Sequence, residues 1–451
     1  MVNSVEAFAA MAAIQCIGAR YSALHPLGSV DDHLYILDDA GIDALVVEPK
    51  VFAERLETLS GATRLLTLGA TGHGEDILAL VDAAEAGPLD VSRDCDATLA
   101  TVYTGGTTGR PKGVEHRHRS FVTSALIVEA EYEWPSDIRM LIQTPISHAA
   151  GLMILPTLLR GGTMVLCKGF SVKGFHQAVT DGINSTFLVP TMIYAIMDHP
   201  GTRDVDFSRL ELVIYGAAPM SPARIEEVID IFGPVFMQAY AQSEVPLSVT
   251  ILKKVDHDPA RPGLLASCGM PTTSCQIAIL DASNQPVSQG EVGELCIRGP
   301  LVMHGYWKLP EETAAAFSGG WMHTGDMAFE DEAGYVYLVD RKKDVIITGG
   351  FNVYPREVED VIATHPDVAM VAVVGAPHPH WGEAVTALVV PRKGTSPDPQ
   401  QIVSLVRERK GSVYAPKTVE FVEAMPLTAI GKPDKKAIRA KYWTGQSRNI
   451  G

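Results

Sequence analysis

Apolar runs of strand length alternate with longer amphipathic stretches through the first 340 residues of the chain. The strand candidates are Leu45 to Val47, Leu99 to Val102, Met164 to Cys167, Ser185 to Val189 and Leu212 to Tyr215. Between them lie segments such as Ser221 to Phe232, where Ile225, Val228 and Ile231 recur at helical spacing. This alternation predicts layered α/β subdomains. From Gln276 to Arg298 the pattern changes to short alternating strands joined by the turn-rich segments Asp281 to Gln285 and Ser288 to Glu291, which predicts a small β-barrel-like part.

A fresh set of elements begins after Asp340-Arg341-Lys342-Lys343. A strand at Val345 to Thr348 precedes a helix that starts at Pro355, a residue suited to a first helical turn, and puts Val358, Val361 and Ile362 on one face. Strands at Val368 to Val374, Ala384 to Pro391 and Thr418 to Val422 follow, with a helix carrying Ile402, Leu405 and Val406 between the last two. The expected organisation is a large α/β N-terminal domain over 1–340 and a small α+β C-terminal domain over 341–451.

Composition adds exclusions. A formal net charge of −16 argues against a nucleic-acid surface, which needs a basic face, but leaves room for local positive charge at a nucleotide site. The six cysteines lie far apart with no C-x-x-C pair, so neither a zinc cage nor a disulfide framework is expected and a reducing cytoplasm fits. The apolar start, Ala7 to Ala19, follows Glu6 and is interrupted by Gln15, unlike a signal peptide. No run reaches the roughly 20 apolar residues of a membrane-spanning helix; Ala149 to Leu159 comes nearest and contains Pro156.

The segment Tyr103 to Val114, YTGGTTGRPKGV, carries the clearest chemistry. Glycines let backbone N–H groups approach an anion, while threonine hydroxyls and a lysine supply donors and charge, a composition suited to polyphosphate. It is not a Walker A loop, because Gly113 rather than Ser or Thr follows Lys112. Taken alone, the alternative is a mobile surface turn.

This loop resembles that of the adenylate-forming superfamily, which includes acyl-CoA synthetases, aryl-CoA ligases, firefly luciferase and the adenylation domains of peptide synthetases. The resemblance continues in the family's order through Gly216-Ala217-Ala218-Pro219, Tyr240-Ala241-Gln242-Ser243-Glu244, Thr324-Gly325-Asp326, Asp340 to Asp344 and Pro426 to Lys432. It implies that Thr104, Thr107, Thr108 and Lys112 contact the phosphates of ATP; Gly105 stands where the family more often has serine, one hydroxyl fewer. It implies that Gly216, Ala217, Ala218 and Tyr240 receive adenine, Ser243 reaches the α-phosphate, and Glu244 binds Mg²⁺, a cation that takes oxygen ligands. Asp326 and Arg341 would hold the ribose, and Lys432 would stabilise charge at the attacked phosphorus. The family's hinge matches Lys343, its CoA passage matches Gly349 and Gly350, and His148 falls near the mouth of the acyl pocket, where a structural histidine is an equal alternative.

The implied activity is an acid:CoA ligase with ATP and CoA as co-substrates, in which the small domain is mobile and turns between two half-reactions. The segments expected to line the acid pocket, Phe187 to Tyr194 and Ala241 to Val249, are mostly apolar, which favours a fatty or aryl acid over an amino acid. An enzyme loading a carrier protein, a luciferase-like oxygenase and a non-catalytic ATP-binding remnant share the same motifs. Oligomeric state is not readable. In the resembling family a further stretch precedes the part that matches Asn3 to Pro26, so the chain is expected to be short at its N-terminus, with either a start further upstream or an exposed sheet edge.

Overall fold

Five parallel strands form the centre of the main sheet, in the order Thr163–Leu166, Arg139–Ile142, Ser185–Leu188, Leu212–Gly216 and Phe236–Gln242. Val245–Leu252 and Met270–Pro271 extend it antiparallel to seven strands. The structure is a computed structural model that describes residues 2–26, 28–88, 91, 94–104, 110–428 and 431–444. Ser185–Leu188 and Leu212–Gly216 are buried along their whole length, as expected of strands covered on both faces.

The two covering layers differ in composition. One face packs the helices Val172–Thr180, Pro190–Met197 and Pro222–Phe232 through Phe175, Ile193, Ile225, Val228 and Phe232. The Phe207 and Phe232 rings lie 4.4 Å apart there, and each such buried ring contributes roughly 1.5–3 kcal/mol through area alone. The other face packs Val5–Cys16, His118–Glu131 and Ile154–Leu159 through Ala7, Val128 and Ile154.

Three smaller sheets complete the first part. Ala44–Val47, Arg64–Thr67 and Glu75–Asp76 pair in parallel beside the helix Val30–Ala40. Thr98–Thr104 and Lys112–Arg117 form an antiparallel hairpin that Gly305–Tyr306 extends. Gln276–Leu280, Gly293–Arg298, Met322–Glu330 and Val336–Arg341 form a four-stranded antiparallel sheet, which is where the short alternating strands were expected.

The last part is a five-stranded sheet made of Ile346–Thr348, Phe351–Val353, Val368–His378, Gly382–Pro391 and Thr418–Phe421. Pro355–Ile362 and Pro399–Lys410 cover it through Val358, Ile362, Ile402 and Val406. Among the described residues no helix is long and apolar enough to cross a membrane. All six cysteines are described and none is in a disulfide.

Candidate active site

The C-terminal ends of the parallel strands converge on one place, the usual position of a ligand crevice in an α/β sheet. Leu212–Gly216 ends there with Gly216, where a Cβ would lie 2.3 Å from the Ala239 carbonyl oxygen, so only glycine fits. Ala217 follows with φ 66°, a left-handed conformation that L residues avoid.

The neighbouring hairpin, Phe236–Gln242 and Val245–Leu252, pairs Gln242 with Val245 and leaves Ser243 and Glu244 as its two-residue turn. Tyr306 donates its hydroxyl to Glu244 Oε1 at 3.0 Å, and the Met303 amide donates to the Glu244 carbonyl at 2.8 Å. The Lys112 ammonium lies 5.4 Å from the Tyr306 ring centre. Lys112 is in register with Thr104 across its own hairpin, and its strand lies between that of Thr104 and that of Tyr306, which holds Glu244. Thr107, Thr108 and Gly105 lie outside the described residues.

Asp326 sits on Met322–Glu330 and is 6% exposed. Its Oδ2 accepts from Tyr240 Oη at 2.7 Å and Gln242 Nε2 at 2.6 Å. Its Oδ1 faces Arg341 Nε at 3.4 Å, and the two residues are register partners. Burial first, then the charge of Asp326 and its hydrogen bond, push the Tyr240 phenol well up, so it remains a donor. One carboxylate oxygen is thus fixed by neutral donors while the other is left towards the cation, an arrangement able to accept from a vicinal diol.

Lys432 comes from the far end of the chain. Its amide donates to Thr428 Oγ1 at 3.1 Å, and the preceding Gly431 carbonyl accepts from Thr191 Oγ1 at 2.7 Å, which seats this loop on the helix Pro190–Met197. Burial and then Arg341 lower Lys432 to about 8, against the opposing pull of Asp326. His148 has its Nδ1 2.9 Å from Ser147 Oγ, and its ring meets that of His25 edge-on at 5.2 Å. Solvent reaches His148 in its cleft, yet desolvation by the surrounding protein, then His25, then the Lys432 charge, lower it to about 4.

The structure therefore brings Thr104, Lys112, Tyr240, Ser243, Glu244, Asp326, Arg341, His148 and Lys432 to one region with Gly216, Ala217 and Ala218. Gly349 and Gly350 are elsewhere: with φ 58° and 83° they turn the hairpin Ile346–Thr348 to Phe351–Val353, and the Gly349 amide donates to the Trp381 carbonyl at 2.9 Å. Lys343 lies half-buried in the turn after Val336–Arg341. Among the described residues no three His, Cys, Asp or Glu side chains are grouped to hold a metal.

Three site residues escape sequence reasoning. Gln242 braces Asp326 and also donates to the Thr324 carbonyl at 3.0 Å. Tyr306 links Lys112 to Glu244. His116, 1% exposed, has Nε2 2.7 Å from the Ser243 carbonyl, and burial lowers it to about 4, keeping the imidazole neutral. The local signal for His116 is its alternation with Val114 along the strand Lys112–Arg117, both being buried with the half-buried Glu115 between them.

Comparison with known proteins identifies the family. The profile of the AMP-binding enzyme family matches residues 1–307, and that of the AMP-binding enzyme C-terminal domain matches residues 357–432. The chain is 47% identical to the medium/long-chain-fatty-acid–CoA ligase FadD8 of Mycobacterium tuberculosis, over 100% of this chain and 82% of that one. It is 38% identical to a feruloyl-CoA synthase of Amycolatopsis, over 94% of this chain and 84% of the relative. The solved structure of the amide bond synthetase McbA from Marinactinospora thermotolerans superposes with a TM-score of 0.89 at 36% identity, covering 98% of this chain and 88% of that one. The chain belongs to the AMP-binding enzyme family and carries that family's C-terminal domain.

Proposed function

We propose that the protein is an AMP-forming acid:CoA ligase that activates a hydrophobic fatty or aryl carboxylic acid with ATP and transfers it to CoA. The observation that carries this reading is the seating of the Gly431 carbonyl on Thr191, which brings Lys432 into the fields of Asp326, Arg341 and His148. A carboxylate oxygen of the acid attacks the α-phosphorus of ATP, and the bond to pyrophosphate breaks. The Lys432 ammonium offsets charge that grows on the oxygens in between. Asp326 and Arg341 hold the ribose; Gly216, Ala217, Ala218 and Tyr240 enclose adenine; Ser243, Thr104 and Lys112 meet phosphate, with Thr107 and Thr108 completing the grip.

Glu244 suits Mg²⁺, which is content with one or two carboxylates, substrate phosphates and water. When bound, the cation would neutralise polyphosphate charge. In the second half-reaction the CoA thiol attacks the acyl carbon, loses its proton, and displaces AMP. For that step the small domain turns about Lys343, so that Gly349 and Gly350 replace Lys432 beside the adenylate while Arg341 stays paired with Asp326.

The acid's chemistry is supported by the surroundings of His148. Ile146 and Ala150, close to His148 in the sequence, belong to one buried apolar cluster with Met153, Phe187 and Val189, surroundings that suit a hydrophobic acyl group better than an amino acid's ammonium. The thiol state of the six cysteines suits a cytoplasmic setting. The test is acid-dependent ATP–pyrophosphate exchange over fatty, aryl and amino acids, followed by product analysis with CoA, a carrier protein or an amine as acceptor. Exchange with fatty or aryl acids and thioester with CoA support the reading. Exchange confined to amino acids, or acyl transfer only to a carrier protein or amine, replaces it.

A further inference from the structure

The helix Val30–Ala40 contributes nothing to the motifs, yet it holds both strands of the hairpin that carries Thr104 and Lys112. On the first strand Tyr103, next to Thr104, donates its hydroxyl to Asp39 Oδ2 at 2.5 Å, and its ring meets Tyr35 edge-on at 6.4 Å. Ahead of the second strand the Arg110 guanidinium lies 4.8 Å above the Tyr35 ring, two residues before Lys112. Just after Lys112, the Gly113 carbonyl accepts from the Trp307 amide at 2.8 Å. Trp307 is itself tied back: its indole N–H donates to the Asp39 carbonyl at 2.9 Å, beside Lys308 Nζ at 2.7 Å. Arg20 covers the Trp307 ring at 4.0 Å and donates to the Ala40 carbonyl.

Tyr103 and Arg110, close to the Thr104–Lys112 rung, therefore lead to two side chains of one helix, while Gly113 leads through Trp307 to the backbone carbonyl of Asp39. We propose that Tyr35 and Asp39 are positioning residues for the polyphosphate of MgATP: they fix the separation and tilt of Thr104 and Lys112 without touching nucleotide. The assignment rests on the reading of this hairpin as the phosphate grip. Its selectivity follows from topology. The groups assigned to adenine and ribose stand on Leu212–Gly216, Phe236–Gln242 and Met322–Glu330, which neither side chain contacts through the bonds described above. Arg110 also shares a shallow hollow of about 400 Å³ with Asp31, Asp32 and Asp38, so without the Tyr35 face its guanidinium has acidic partners to turn towards, away from phosphate.

The discriminating measurement is direct binding of MgATP and of AMP to the full chain, by calorimetry or equilibrium dialysis, with thermal midpoints recorded. Tyr35→Leu and Asp39→Ala should each weaken MgATP by roughly tenfold, the scale of one partly desolvated cation–ring or charged hydrogen bond. AMP affinity should stay within about twofold, because AMP lacks the β- and γ-phosphates. Tyr35→Phe keeps the ring face and should bind MgATP as the parent does. MgATP affinity unchanged in the Leu and Ala variants overturns the proposal. So does a parallel loss for MgATP and AMP, which would mark a general structural role, and so does a Phe variant as weak as the Leu variant. A parent protein that binds neither nucleotide removes the phosphate-grip reading itself; a parent that binds both, with indifferent variants, removes only the role of Tyr35 and Asp39.

Discussion

Burial and the Arg341 charge make Lys432 lose its proton near pH 8 instead of near the ordinary lysine value. The cation proposed to act in adenylation is then present at neutral pH and lost as pH rises through about 8. The kcat/KM for ATP in acid-dependent pyrophosphate exchange should fall above that pH, approaching tenfold per unit. Stability moves the other way: between about 8 and the unfolded lysine value the unfolded chain binds more protons, so this group's contribution to folding rises with pH, and lost activity is not unfolding. Lys432→Arg, which stays charged, should be slower but lose the alkaline limb. A parent profile flat to roughly pH 9.5 would overturn either the lowered value or the use of the charge, and loss of exchange in Lys432→Ala would separate the two. Lys432 was legible because glycine and proline flank it in a recognisable segment, and Asp326 because of Thr324-Gly325. Gln242, Tyr306 and His116 were not, since each acts only after strand pairing brings it to a partner far along the chain: Tyr306 to Glu244, His116 to Ser243.

Among elements, the strands with short unbroken apolar runs were readable: Leu212 to Tyr215 was expected and Leu212–Gly216 is found. The hairpin beside it was missed for a physical reason. Buried Gln238, Ser248 and Thr250 interrupt its apolar pattern, and Thr250 Oγ1 donates to the Cys268 carbonyl at 2.6 Å, a tertiary partner. Its turn, Ser243-Glu244, also lacks the glycine or asparagine that usually marks a two-residue hairpin. The close approach of these two strands makes Gly216 a sharp test. Gly216→Ala puts a methyl 2.3 Å from the Ala239 oxygen, and backbone must move. We expect about 1–3 kcal/mol of destabilisation, the range for overpacking, together with weakened AMP binding because Ala217 and Ala218 shift with the strand end. A Gly216→Ala variant with unaltered AMP affinity and thermal midpoint would place adenine elsewhere and show that the crowding is relieved at no cost.

On the scale of the molecule, the proposed reaction asks one small domain to serve two half-reactions, and side chains that bind residues after Lys343 to the first part of the chain would favour the arrangement proposed to present Lys432. Arg392, at the end of Gly382–Pro391, reaches across to Glu227 Oε1 at 3.1 Å and Oε2 at 3.0 Å, and lies 3.7 Å from Asp198. Arg224, 2% exposed, bridges the same two acids at 2.7 Å each. Burial would raise the Glu227 carboxyl, but Arg392 and Arg224 outweigh it and hold it below the usual range, so the latch persists through neutral pH. Arg392 is one-third exposed, so solvent screens the pair and the latch is worth about 1 kcal/mol, roughly a fivefold shift in the occupancy of the Lys432-in arrangement. Arg392→Ala should therefore slow pyrophosphate exchange several-fold while leaving, or raising, the rate of thioester formation from preformed acyl-adenylate. Arg392→Glu should deepen the defect, and Glu227→Arg in the same chain should recover part of it, although the remaining Arg224 opposes full rescue. High salt should narrow the gap between parent and Ala variant, since it weakens the ion pair in the parent alone. Equal slowing of both half-reactions would mean that Arg392 supports the fold and not the choice between arrangements; no slowing of exchange would mean that the Thr191–Gly431 contact suffices to seat Lys432.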